Sequence, residues 1–136
     1  MMFGAEFDFV KGGKLPGLFG GHMSCSGGAE SEDCFSTRFI WKEDGAGGVY
    51  CYLPNKQVSH GLASHNQALL NILQIPGFCS SASVYCNHNY GHSLGRGSWQ
   101  FVPGEWVVIS QTVRMNTVSR MDGSIVVRVR GEEVYR

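Results

Sequence analysis

Excess charge is the first thing this sequence lacks. Eleven Lys and Arg face eleven Asp and Glu, a formal net charge of zero, which argues against general attraction to nucleic acid or an anionic membrane. Any anion it binds must be held by a local cluster. No apolar run approaches the ~20 residues of a membrane-spanning helix. The opening MMFGAEFDFVKGG lacks the basic-then-apolar layout of a cleavable export signal. Internal repeats, low-complexity tracts and Asn-x-Ser/Thr sites are also missing, which removes a repeat architecture and N-glycosylation from consideration.

What is present is glycine and aromatic side chains. Nineteen glycines and 12% aromatics among 136 residues, with apolar runs mostly short, favour an all-β sandwich or barrel over helices. The length suits one domain, residues 1–136, that buries roughly two thirds of its unfolded surface. Five cysteines fall at Cys25, Cys34, Cys51, Cys79 and Cys86. Cys25/Cys34 and Cys79/Cys86 each flank a short polar loop, and a disulfide closing such a loop contributes roughly 2–3 kcal/mol in the chain-entropy account. Such pairing suits a secreted, extracellular protein; five reduced thiols is the plainer alternative.

The most informative stretch is Phe35 to Pro54, FSTRFIWKEDGAGGVYCYLP. Alternation in its first half puts Phe35, Thr37, Phe39 and Trp41 on one side and Ser36, Arg38 and Ile40 on the other. In its second half Tyr50 and Tyr52 share a face, while Val49, Cys51 and Leu53 take the opposite one, towards a core. Between them, Asp44-Gly45 and Gly47-Gly48 are turn chemistry. One hairpin can therefore present a hydroxyl, a guanidinium and two phenols, although spacing alone does not fix the register that would bring the two polar faces together.

Elsewhere Ala5 to Val10 alternates as a strand, and the glycine-rich Lys11 to Gly21 reads as an irregular loop. Asn55 to Asn89 is an irregular insertion, with a short helix expected over Ser64 to Leu73. Gly91 to Phe101 is a glycine-punctuated strand or edge, and Pro103-Gly104 a turn. Glu105 to Asn116 is the longest strand expected, with Val107, Ile109, Val113 and Met115 on one face and Gln111 interrupting it. Ser124 to Arg130 follows Asp122-Gly123 as another strand, with none after it.

Taken together, GGKLPGLFGG, CFSTRFIW, VYCYLP and GHSLGRGSWQF followed by GEWVVISQTVRMN resemble polysaccharide lyase family 14, the alginate- and glucuronate-cleaving lyases of algal viruses, molluscs and fungi. The resemblance covers nearly all of the chain except Asn55 to Asn89. It implies an antiparallel β-sandwich of jelly-roll type with a cleft on one sheet. It also implies a catalytic set of Lys14, Ser36, Arg38, Tyr50 and Tyr52, acting on an acidic polysaccharide without a cofactor or metal, in a monomer. Family members usually carry further strands before and after these motifs, so an incomplete jelly roll is expected. Arg96, Gln111 and His22 are secondary candidates for substrate contact, against structural roles in strand-end and core hydrogen bonding.

These residue types fit β-elimination. Removing the C5 proton beside an ionised carboxylate builds a second negative charge, so cations must neutralise that carboxylate as the charge develops. Arg38 offers paired donors and Lys14 a point charge. Neighbouring cations favour a phenolate, so Tyr50 or Tyr52 is expected to take the proton, and either one to protonate the leaving oxygen. Ser36 would hold the carboxylate or orient a tyrosine. Each residue also has a duller reading as a solvated charge or a strand aromatic. A carbohydrate-binding jelly roll without turnover is the competing function. A zinc site from Cys86, His88 and His92, with His60 and His65 nearby, matches no strong ligand spacing.

Overall fold

The computed structural model describes residues 1–21, 25, 34–53, 78–87, 90–117, 120 and 122–136. Among these residues, eight strands form two antiparallel sheets. The larger has the order β1-β2-β3-β5-β4. Its strands are β1 (Gly13–Gly21), β2 (Cys34–Trp41), β3 (Gly47–Tyr52), β4 (Val84–Tyr85) and β5 (His92–Leu94). The smaller sheet is a meander of β6 (Ile109–Arg114), β7 (Ser124–Val129) and β8 (Glu132–Tyr135).

The hairpin forms as the alternation predicts. A short 3-10 turn at Glu43–Gly45 joins β2 to β3, with Asp44 and Gly45 at φ 58° and 75°, the left-handed region that Asp-Gly pairs tolerate best. The inner face of the five-stranded sheet carries Phe39, Val49, Cys51 and Leu94 into one cluster with Val127 of β7, while Ile109 and Ile125 pack against it. These two facing apolar surfaces make the sandwich, an antiparallel all-β architecture of jelly-roll type.

Four expectations are corrected. Lys11 to Gly21 is not an irregular loop: most of it is β1, paired with β2 from Gly13↔Trp41 to Gly21↔Cys34. A bulge between Lys14 and Gly17 accommodates Pro16, which has no ladder N–H. A Cβ at Gly17 would lie 1.6 Å from the Thr37 carbonyl oxygen, so only glycine lets the two backbones come this close. Ala5 to Val10, conversely, is not a strand. Its aromatic side chains gather into one cluster instead of alternating across a sheet: Phe3, Phe7 and Phe9 pack on one another, and Phe3 and Phe7 on Trp41, edge to face except for the tilted Phe3–Phe7 pair.

Only Ile109–Arg114 of the expected long strand is regular. The backbone of Val107 is taken by Met1 instead, whose amino group donates to its carbonyl and whose carbonyl accepts its N–H, both at 2.9 Å. Met115 is 60% exposed rather than on the inner face. Finally, a strand does follow Ser124 to Arg130. Arg130 and Gly131, at φ 54° and 91°, form the two-residue reversal that hairpins favour, and β8 pairs back onto β7. The helix expected over Ser64 to Leu73 lies outside the described residues. Among the described residues no helix is long and apolar enough to cross a membrane.

Candidate active site

The hairpin register decides whether the polar residues meet. Ser36 stands opposite Tyr52 and Arg38 opposite Tyr50. Directly paired residues project from the same side of a sheet, so hydroxyl, guanidinium and both phenols share the outer face. Lys14 stands opposite Ile40, two residues from Arg38, and therefore joins them. Its Nζ lies 4.7 Å from the centre of the Tyr50 ring and 5.9 Å from that of Tyr52, distances at which a ring face attracts a cation. The structure thus brings all five expected residues to one face.

They are not equally accessible. Lys14 is exposed, and Arg38 and Tyr50 are half-buried. Among the described residues neither Lys14 nor Arg38 makes an ion pair. Tyr52 is 4% exposed and packs against the Cys25–Cys34 disulfide, with its ring edge-on to Tyr50 at 5.5 Å and 79°. Ser36, 1% exposed, donates its hydroxyl to the Cys25 carbonyl at 2.9 Å. Ser36 and Tyr52 therefore form the floor and back wall, and Tyr50 is the phenol that solvent reaches.

The phenolic oxygen of Tyr50 accepts the backbone N–H of Gly91 at 2.9 Å. Burial raises its pKa above the ordinary phenol value; the Gly91 N–H pulls the other way, while Tyr52, as a hydrogen-bond partner and a charge neighbour, adds to the rise. The expected bias towards phenolate is therefore not met at Tyr50 in the unliganded chain. Desolvation disfavours the anion more than the hydrogen bond favours it. At rest Tyr50 is a neutral phenol.

The secondary candidates separate. The exposed Arg96 reaches the outer face, with Nη2 3.4 Å from Ser93 Oγ and its guanidinium 5.3 Å from the centre of the Tyr85 ring. Gln111 lies between the sheets, because alternation along β6 places it with Ile109 and Val113. Its Nε2 is 3.5 Å from the Thr37 carbonyl oxygen, while its Oε1 and the Thr37 hydroxyl are buried without partners among the described residues. That placement suits core hydrogen bonding rather than substrate contact. His22 is outside the described residues, as are His60, His65 and His88 of the zinc reading. His92 faces inwards opposite Cys51, its Nδ1 accepting the Asn87 backbone N–H at 3.3 Å and its ring against Phe78.

Sequence reasoning missed Gly91, Ser93, Tyr85 and Phe19. Ser93 stands opposite both Tyr50 and Tyr85, and Phe19, 55% exposed, stands opposite Ser36. No local motif marks them; only strand pairing puts them on this face. Both expected disulfides, Cys25–Cys34 and Cys79–Cys86, are formed, and Cys51 is a buried free thiol.

Among solved structures, the chain is similar to the marine family 14 alginate lyase of Aplysia kurodai, with 38% identity and a TM-score of 0.70 over 95% of this chain and 46% of that one. It is also similar to an alginate lyase from Chlorella virus, with 28% identity and a TM-score of 0.62 over 97% of this chain and 48% of that one. The chain thus spans about half the length of each. No curated protein sequence matches it. The profile described as Polysaccharide lyase 14 matches residues 1–136, and with the outer-face constellation in place the chain belongs to polysaccharide lyase family 14.

Proposed function

We propose that the outer face of the five-stranded sheet cleaves a uronic-acid polymer, alginate or glucuronan, by β-elimination. The observation that carries this reading is the convergence of Lys14 and Arg38 with Tyr50 on one solvent-facing surface. Arg38 pairs with the carboxylate of the sugar being cut, and Lys14 adds positive charge where the dianion develops. With two cations in that role, the scheme needs no metal.

Tyr50 is the reacting phenol, because it is the more exposed of the two. As phenolate it takes the proton from C5; the C5–H electron pair becomes the C4=C5 double bond; the C4–oxygen bond breaks; and the leaving oxygen receives a proton from Tyr50 or Tyr52. The Gly91 N–H holds the phenolate oxygen while it is charged. Tyr52 and Ser36, fastened to the disulfide, keep Tyr50 in place. Two disulfides fit an oxidising, extracellular setting, and the protein acts there as a monomer.

A second reading, an oligouronate-binding face without turnover, is favoured by the raised pKa of Tyr50, which leaves little base at neutral pH. Incubation of the folded chain with mannuronate-rich alginate, guluronate-rich alginate and glucuronan decides between them. Lyase action yields ultraviolet-absorbing unsaturated ends. Binding that Arg38→Ala abolishes, with no new double bonds on any polymer, establishes the second reading and overturns the first.

A further inference from the structure

The rank of residues through Arg38 and Tyr50 continues past β3. Gly17 pairs with Arg38, Arg38 with Tyr50, Tyr50 with Ser93, and Ser93 with Tyr85. The five positions therefore form one line across all five strands, with Arg38, Tyr50, Ser93 and Tyr85 on the outer face. With strands about 4.8 Å apart, Tyr85 sits about 10 Å from Tyr50 along that line. One sugar ring seated on Tyr50 does not reach it, whereas the next sugars of a polymer running across the strands do.

The far end of the rank has its own chemistry. Tyr85 is 59% exposed, although nothing about its position requires a large aromatic in water. The Arg96 guanidinium lies 5.3 Å from the ring centre, and Nη2 reaches the 2% exposed Ser93 hydroxyl at 3.4 Å. The backbone that carries Arg96 lies against β3: a Cβ at Gly48 would be 3.3 Å from the Arg96 Cα. Among the described residues no carboxylate pairs with Arg96. A guanidinium resting on an aromatic ring keeps its remaining N–H donors for a planar anion. The exposed part of the ring offers an apolar surface to a pyranose C–H face.

We infer that Tyr85, Arg96 and Ser93 form a second subsite, which binds the carboxylate of a uronate sugar that is not itself cleaved. Arg96 grips the carboxylate, Tyr85 carries the sugar face, and Ser93 positions Arg96. The inference rests on the polyuronate reading of the main site and adds two things to it: the polymer lies across the strands rather than along them, and affinity steps up once an oligomer is long enough to span from Tyr50 to Tyr85.

Calorimetric titration with size-defined oligouronates, from disaccharide to hexasaccharide, tests this on the wild-type chain, Arg96→Ala, Arg96→Lys and Tyr85→Ala, with circular dichroism melts as a folding control. The wild type is expected to bind longer oligomers more tightly in a step, and Arg96→Ala to remove the step, weakening hexasaccharide binding about tenfold or more. Arg96→Lys restores part of it, because a point charge replaces a planar fork, and carboxyl-reduced hexasaccharide is indifferent to Arg96. An equal effect of Arg96→Ala on all lengths, no effect on any, or no binding by the wild type overturns the subsite. A length-dependent step without unsaturated products upholds the subsite and sinks the lyase reading alone.

Discussion

The backbone N–H of Gly91 meets the phenolic oxygen of Tyr50 at 2.9 Å, across 41 positions of sequence. That contact depends on Gly91 having no side chain. A Cβ there would stand 2.5 Å from the Cys51 carbonyl oxygen and 2.6 Å from Cε1 of Tyr50, well inside van der Waals contact with a backbone that cannot yield. Gly91→Ala is therefore expected to push the Tyr50 ring aside or lift β5 from β3. Misplacement of a reacting group by about 1 Å can cost on the order of a hundredfold in rate. Initial rates of unsaturated-product formation, with a melt to confirm folding, check this; wild-type rates would remove the Gly91 contact from the mechanism.

The neutral resting state of Tyr50 has a kinetic consequence. If its phenolate is the base, kcat/KM should climb about tenfold per pH unit, following the phenolate fraction of the free enzyme. The climb should persist towards the raised pKa, above the ordinary value of 10.0. Tyr50→Phe should abolish turnover, while Tyr52→Phe, which removes a hydroxyl from behind it, should leave a reduced rate with the same pH slope. A flat profile between neutral and moderately alkaline pH would assign proton abstraction to another group.

The two cations should separate by geometry as well as charge. Arg38→Lys keeps one positive charge but loses the paired donors, so it is expected to lower kcat by one to three orders of magnitude, in the range of other preorganised donors to a developing oxyanion. Lys14→Arg retains charge near the Tyr50 ring and should be the milder change, with Lys14→Ala the more severe. Single-turnover rates on one defined oligomer provide the comparison. Equal activity of Arg38→Lys and wild type would mean that bidentate pairing is not used.

Much of this face is legible in the sequence. Alternation in Phe35 to Pro54 separates Ser36 and Arg38 from Thr37 and Phe39, and Tyr50 and Tyr52 from Cys51, and both separations hold in β2 and β3. The Cys25/Cys34 and Cys79/Cys86 spacings suggest the two disulfides that are formed, but leave five reduced thiols open as the alternative. Three things were not legible. The register, which pairs Arg38 with Tyr50, depends on the turn's backbone. β1 was hidden because glycine and Pro16 carry the signature of a loop, while aromatic rings supply its packing: Cβ atoms at Gly13 and Gly20 would strike the Trp41 and Phe35 rings. The outer rank through Ser93 and Tyr85 comes from strands of only three and two residues, too short to show a period. Gln111 was ambiguous for the opposite reason, being a polar residue on an apolar face whose partner, the Thr37 carbonyl, is 74 positions away.

The Cys25–Cys34 disulfide should matter to the site as well as to stability. It packs against Tyr52, and Cys25 supplies the carbonyl that receives the Ser36 hydroxyl. Replacing both cysteines with Ser is expected to destabilise the fold by about 2–3 kcal/mol. At a temperature where the variant is still folded, turnover should also fall, because the wall behind Tyr50 loses its anchor. Urea melts paired with rates on the same preparation test both halves. A destabilised variant with undiminished turnover would make the disulfide purely structural.

Stability itself should fail on the alkaline side, and Cys51 sets where this begins. Burial pushes its thiol from 9.0 up to about 12, so the folded chain holds a proton that the unfolded chain releases. The unfolded state then binds fewer protons, and stability decreases with rising pH. The contribution is fully present below about pH 9 and is lost as pH climbs towards about 12. Tyr50 and Tyr135, both raised from 10.0 mainly by burial, add losses of the same sign from a higher starting point. Between about pH 8 and about pH 10.5 the thiol accounts for about 2 kcal/mol of lost stability, at 1.36 kcal/mol per unit. Cys51→Ala removes that contribution while leaving the tyrosines. Urea unfolding at both pH values should therefore give the variant a smaller loss than the wild type by about this amount, whatever the offset caused by the missing sulfur. Parallel losses in the two proteins would mean that Cys51 keeps an ordinary pKa despite its burial.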